Sequence, residues 1–265
     1  MANSTVLYQT DGPVATITLN RPERLNAMNR ELMNAAVEAL QNAASDPAIR
    51  VLILTGAGKG FCAGGDLAGF AGGEFKQPQP IEQRIAELRR NMRSSQILRE
   101  SDMVTIAAVN GACAGAGFSW ALACDLRYAA ASAKFNSAFL NAGLSGDFGG
   151  THSLTHIVGT AKARELYLLA ERFDAAEAAR IGLVSQVLPD AELIAHVRGV
   201  ARKLAESAPL ALREIKRNLN DALRLSFSEA LDREAERHSR CGTTEDNTEA
   251  AKAFLEKRKP VFKGR

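Results

Sequence analysis

The chain of 265 residues is poor in several things at once. It has one tryptophan, three tyrosines and four cysteines, and 33 basic against 30 acidic side chains leave a net charge of only +3. Cys62, Cys113, Cys124 and Cys241 have no metal-ligand spacing, which argues against a disulfide scaffold and a metal site and predicts free, buried thiols. No apolar run is long enough to span a bilayer. The N-terminus MANSTVLYQTDG (1–12) lacks a basic region leading into an apolar one, so no secretory signal is expected. The balanced charge argues against nucleic-acid and membrane-surface partners, although mild basicity suits an anionic small ligand. A soluble, cytoplasmic globular protein is the expectation.

What is present is an α/β alternation. TVLYQ (5–9) and VATITLN (14–20) read as a hairpin around DGP (11–13). RPERLNAMN (21–29) reads as a loop, and residues 30–45 carry apolar positions at helical spacing. VLILT (51–55) and VTIAAV (104–109) are buried strands, with a helix predicted over 81–100 and a Gly/Pro-rich loop over 68–80. A short helix through FSWALA (118–123) and a strand within 125–131 follow. Beyond about residue 160 strands nearly vanish, and helical periodicity runs to 258.

Each of the two buried strands empties into small residues: GAGKGFCAGGDL (56–67) after the first, NGACAGAGF (110–118) after the second. Neither is a nucleotide loop. Lys59 is followed by Gly60 where a phosphate loop needs Ser or Thr, and Trp120 stands where a dinucleotide fingerprint needs its third glycine. The alternative is a pair of backbone N–H donors converging on one carbonyl oxygen, with glycine and alanine allowing close approach. Asp66 reads most simply as a helix N-cap.

These stretches, with LNRPERLNAM (19–28), ARIGLVSQVLP (179–189) and AFLEKRKPVFKG (253–264), resemble the enoyl-CoA hydratase/isomerase (crotonase) superfamily nearly end to end. The resemblance implies a spiral of ββα repeats over residues 1–200. It also implies a C-terminal helical trimerisation region over 201–265, and a homotrimer or a hexamer of two trimers. It implies an acyl-CoA substrate and no cofactor beyond the CoA moiety. The N–H groups of Gly65 and Ala116 would hold the thioester oxygen, Ala63 would meet the adenine, and Arg24 and Leu25 would line the CoA tail. Asp66 and Leu67 would lie beside that tail, and Phe254 and Lys257 would reach a neighbouring subunit's CoA.

The sequence departs from the hydratase pattern where the two glutamates should stand, at Ser119 and Phe139. Asp147, in GLSGDFGGTHSL (143–154), matches an aspartate of some isomerases of the superfamily, and 1,2-epoxyphenylacetyl-CoA isomerase is the nearest pattern. Phe118, Ser119 and Phe139 are the expected pocket residues. Ring-lined burial of Asp147 by Phe118, Phe139 and Phe148 would raise its pKa and make its carboxylate a stronger base. The alternative is a turn aspartate before Gly149 and Gly150. A dehalogenase also uses an aspartate there, but residues 81–100 lack the histidine that reading needs. His152 and His156 lack the glutamate of a zinc helix and read as a surface pair. Two binding readings stay open: an acyl-CoA binder without catalysis, and an RNA binder using Arg84, Arg89, Arg90, Arg93 and Arg99, with no interleaved aromatics to support it.

Overall fold

The computed structural model describes residues 4–66 and 80–265, so Leu67 and most of the 68–80 loop lie outside the described residues. The expected hairpin is there: β1 (Val6–Asp11) and β2 (Val14–Leu19) pair antiparallel across a two-residue turn. From there the large sheet grows by parallel addition of β3 (Val51–Gly56), β5 (Val104–Val109), β7 (Leu126–Ala130) and β10 (Gln186–Leu188). Both faces of this sheet are covered, which is why β3 and β5 read as unbroken apolar runs. Leu52 and Leu54 join the core beneath α1 (Arg30–Ser45), while Val51 and Ile53 pack with Leu193, Val197 and Ala201 of α7 (Leu193–Ala205).

A second, smaller sheet runs beside the first and was not legible as strands. It is made of β4 (Gly60–Cys62), β6 (Ala112–Ala114), β8 (Lys134–Asn136) and β9 (Phe173–Asp174), in that order. Each repeat therefore sends a long strand through the large sheet and a short one through the small sheet. Helices follow, and the chain climbs as a spiral of ββα turns. The helix predicted over 81–100 is two, α2 (Ile81–Asn91) and α3 (Arg93–Glu100), meeting at Met92. Leu98 of α3 is fully buried, while Ile81, Ile85 and Leu88 of α2 are exposed, so the expected single apolar side is divided.

After α4 (Ala116–Ala123) comes α5 (Gly150–Leu169), whose backbone breaks at Gly159 (φ 79°, ψ 163°). α6 (Ala175–Arg180) and α7 follow, then α8 (Pro209–Asp221), α9 (Phe227–Gly242) and α10 (Glu245–Leu255). The boundary expected between 200 and 201 falls inside α7. There Leu193, Val197, Ala201 and Ala205 form one buried stripe against the large sheet, so the core runs to the end of that helix. No helix among the described residues is long and apolar enough to cross a membrane. All four cysteines are free, three of them buried and Cys241 half-buried.

One buried cation ties the C-terminal helices to the spiral. Lys216 of α8, only 5% exposed, puts Nζ 2.8 Å from Asp125 Oδ2 and donates to the Met103 carbonyl at 2.7 Å. Removing one partner of such a pair strands the other in a poorly solvated place. Lys216→Met should therefore lower the unfolding free energy by about 2–4 kcal/mol, seen as an earlier urea midpoint; an unchanged midpoint would show the pair contributes nothing.

Candidate active site

β4, β6 and β8 are parallel neighbours, with Cys62 opposite Cys113, and Ala112–Ala114 opposite Lys134–Asn136. Whatever leaves their C-terminal ends must emerge side by side, the usual place for a ligand in such sheets. Residues 63–66, Gly115–Ala116 and 137–139 emerge there. They bound a cavity of about 530 Å³ whose wall includes Ala63, Gly64, Gly65, Gly115 and Ala116.

The first loop has two jobs. Its front half is a structural turn stitched by two buried or half-buried amides. Asn26 Nδ2 donates to the carbonyls of Ala57 (3.0 Å) and Gly60 (2.7 Å), and Asn110 Nδ2 donates to those of Gly56 (2.8 Å) and Gly58 (3.0 Å). Its back half faces the cavity. Met28 donates to the Gly64 carbonyl at 2.7 Å and accepts from Asp66 N–H at 3.0 Å, a parallel bridge around Gly65. That pairing turns the N–H of Gly65 to the opposite side, toward β6.

The second donor comes from a helix start. The first bond of α4 runs from Ser119 N–H to the Gly115 carbonyl at 3.0 Å, so the N–H of Ala116 has no intrahelical acceptor. Close approach of the two loops depends on missing side chains. A Cβ on Gly117 would come 2.7 Å from Cys62 Sγ and nearer still to the Cys62 carbonyl. One on Gly64, at φ +90°, would come 2.9 Å from the Ala114 carbonyl oxygen and 3.5 Å from Ala116 N. Two N–H groups at the wall of a half-open cavity would suit an oxygen that gains negative charge. Cys62 is no nucleophile here: burial pushes its thiol up to about 12, and Sγ is spent on the Asn26 carbonyl at 3.2 Å.

Asp147 stands on the cavity wall with Phe139, Phe148 and Leu144. Burial lifts its pKa from 3.8 to about 7, and its Oδ1 is buried without a hydrogen-bond partner among the described residues. Phe148 packs edge-on against Trp120 (6.0 Å), whose indole N–H donates to Ser94 Oγ at 3.0 Å, so the apolar wall is anchored in the core.

Not every expected residue arrives at the cavity. Phe118 is fully buried on the core side of α4, its ring against Phe135 and Phe173 (6.2 Å each), because a helix can turn only part of its circumference to the ligand. Ser119 is also fully buried and does not line the cavity; its hydroxyl donates to the carbonyl of Gly115, a wall residue, at 3.4 Å. Phe139 alone of the expected trio lines the cavity. Arg24 and Leu25 are exposed beside the first loop, outside that wall, although the Leu25 carbonyl accepts from Ala63 N–H at 3.0 Å. Asp66 pairs with Arg21 at 3.0 Å, and the helix it was expected to cap lies outside the described residues, with Leu67. Phe254 is 83% exposed at the end of α10, and Lys257 follows in a left-handed conformation (φ 53°); neither lines this chain's cavity. His152 and His156 are a surface pair on α5 with rings 4.6 Å apart.

Sequence reasoning missed one whole wall. Met28, Asn29, Arg30 and Met33, at the start of α1, and Glu87 and Arg90 of α2 also line the cavity. Arg30 sits 3.4 Å from Glu87. Arg90 belongs to this wall and Arg99 reaches Ser153 Oγ at 3.3 Å, while Arg84, Arg89 and Arg93 are exposed.

Residues 9–265 match the family model described as Enoyl-CoA hydratase/isomerase. A short-chain-enoyl-CoA hydratase of Clostridium acetobutylicum is 35% identical over 98% of this chain and 97% of its own. A 1,2-epoxyphenylacetyl-CoA isomerase of Escherichia coli is 37% identical over 98% of each chain. The crystal structure of an enoyl-CoA hydratase from Bacillus anthracis superposes with a TM-score of 0.91 at 31% identity, covering 98% of this chain and 100% of that one.

Gly117→Ala should separate the two loops while leaving the distant large sheet intact. Loss of one such donor typically costs about 10²–10³ in rate, so turnover of an acyl-CoA substrate should fall by at least that much with a near-native circular dichroism spectrum. Retained turnover would show that the loops need not touch.

Proposed function

The chain belongs to the enoyl-CoA hydratase/isomerase family, with the crotonase fold, and from that membership we propose that it isomerises an acyl-CoA thioester with Asp147 as the acid/base. In this reading the thioester oxygen accepts hydrogen bonds from the N–H groups of Gly65 and Ala116. With a 3-enoyl thioester, Asp147 takes a proton from C2 and the electrons move onto the held oxygen as an enolate. The carboxyl then returns the proton to C4, and the double bond settles between C2 and C3. With an aromatic epoxide the same enolate chemistry would open and expand the ring. No cofactor beyond the CoA of the substrate takes part.

The observation that carries the reading is the state of Asp147: a cavity carboxylate with an unpartnered buried oxygen, held near the pH at which a base and its conjugate acid are both available. The hydratase glutamates are replaced by a ring at Phe139 and by a buried serine, Ser119, that does not line the cavity. Hydration of a 2-enoyl thioester is the second reading. Relatives named as hydratases favour it, and Glu87 on the facing wall is a second carboxylate that could serve it.

We also propose that copies assemble through the C-terminal helices as a trimer or a pair of trimers. Leu219, Phe227 and Phe254 are 67%, 80% and 83% exposed, large apolar side chains on three C-terminal helices that a partner would cover. Phe254 and Lys257 would then reach a neighbour's CoA, while Arg24, Leu25, Ala63 and Asp66 would flank the CoA of their own chain. Light scattering after size exclusion tests this; a monomer would refute it.

The chemistry is tested with a 3-enoyl-CoA in deuterated buffer. Wild type should form the 2-enoyl isomer and exchange its α-proton, with a rate rising through about pH 7, and Asp147→Asn should lose at least about 10²-fold. Efficient addition of water, or an active Asn variant, would overturn the assignment. The sign for stability runs the other way. A carboxyl raised on folding binds its proton more tightly in the native state, so ionisation destabilises the fold as pH rises from about 4 through about 7. Asp147→Asn should thus match wild type in melting temperature near pH 4 and exceed it above pH 8.

A further inference from the structure

Among the described residues, only a few buried side-chain oxygens lack a well-aligned hydrogen-bond partner, and two of them lie near one turn: Asp147 Oδ1, and Tyr167 Oη, which has only the Ser119 hydroxyl beside it. A buried donor or acceptor left alone in a native protein calls for an explanation, and a bound oxygen is a common one. Gly146 and Gly150 stand on either side of Asp147. A Cβ on Gly146 would touch Tyr167 Cε1 at 3.4 Å, and one on Gly150 would collide with both Tyr167 Oη and Ser119 Oγ. Gly150 N–H donates to the Asp147 carbonyl at 3.1 Å, so the phenol tip hangs over the same turn that carries the carboxylate. The tyrosine ring cannot swing freely, because it lies parallel to that of Phe139 on the cavity wall (6.1 Å, 2°).

The two groups feel one another. Burial pushes the Tyr167 phenol up to about 12, a hydrogen bond with Ser119 opposes the rise, and the charge of Asp147 adds to it. The phenol therefore keeps its proton and acts as a donor, while the carboxylate is an acceptor. The other charged groups facing the cavity, Arg30 of α1 and Glu87 and Arg90 of α2, lie on the other wall. The rise at Asp147 itself has burial as its cause.

We propose that Tyr167 positions Asp147 by sharing with it one hydroxylic oxygen, from a water or from a hydroxyl on the acyl chain: the phenol donates to that oxygen, and that oxygen donates to Asp147 Oδ1. Tyr167 is then a positioning residue, acting on the reaction through Asp147. Ser119, beside the phenol, limits where its tip can lie. This rests on Asp147 being the acid/base of the site.

Tyr167→Phe keeps the ring and its stacking and removes only the hydroxyl. The test is a carbon-13 titration of enzyme labelled at aspartate carboxyls, with Asp147→Asn to identify the signal, beside the pH profile of α-proton exchange. If the oxygen is a water, the Asp147 midpoint in free Tyr167→Phe should rise by about half a pH unit or more, since a bond to the ionised form is lost. The kcat for exchange should fall about tenfold with KM unchanged, a loss of catalytic positioning and not of uniform binding. If the oxygen belongs to the substrate, the free midpoint stays, but the preference for 3-hydroxybutyryl-CoA over butyryl-CoA should fall about tenfold, as for a lost hydrogen bond. No change in midpoint, exchange or preference would overturn the proposal. Exchange that survives in Asp147→Asn would instead sink the isomerase reading, while the titration would still report on Tyr167.

Discussion

The parallel pairing of β4, β6 and β8 is the constraint on which the site depends. Strands of three residues are too short to be stable alone, and these are held by the long strands β3, β5 and β7 that precede them in each turn of the spiral. Because the three short strands share one direction, the chain is delivered to one edge three times. The first delivery brings Gly65, the second Ala116 and the third Phe139. Gly117 lets the second come close to the first. The glycines and alanines that make these stretches conspicuous are thus answers to a packing problem between neighbouring loops.

The site's ionisable groups are arranged by contrast. Asp66 has Arg21 at 3.0 Å and Glu87 has Arg30 at 3.4 Å. Asp147, in the same neighbourhood, has aromatic rings. Cations close to Asp147 would hold it ionised at low pH and make it a weak base; burial instead lifts it to about 7. The fold is less stable for this wherever Asp147 is charged.

Much of this could be read from the sequence, and the failures have physical causes. Helix α1 falls on the residues its periodicity marked, because a capping Asn29 and the Asp46–Pro47 pair bound a sixteen-residue amphipathic run. β3 and β5 were equally plain. The small sheet was not, since three residues in GFC or KFN carry no period that can be counted. Asp147 and the two loops were visible through their motifs. The Arg30, Glu87 and Arg90 wall was not, because nothing local says that the start of α1 and the outer face of α2 look into the same space. Phe118 was misplaced for a related reason. It lies two residues after Ala116 of the cavity wall, but two steps along a helix are a turn of about 200°, enough to move a side chain from cavity to core. Tyr167 had no signal at all, being 20 residues beyond the aspartate it meets.

That last distance is bridged by the break at Gly159. With φ at 79° and ψ at 163° this residue leaves the helical region altogether, and the segment after it returns toward the turn where α5 begins. Side chains 17 residues apart on one straight helix would stand roughly 25 Å from each other along its axis; here Tyr167 lies against Gly150. The segment from Gly159 to Tyr167 therefore acts as a spacer of fixed count. Its exposed positions are free to change in chemistry, but its length is not, since each added or deleted residue would rotate the phenol by about 100° around the helix axis. In this part of the chain the arithmetic of the helix, more than any single contact, keeps the tyrosine facing the aspartate.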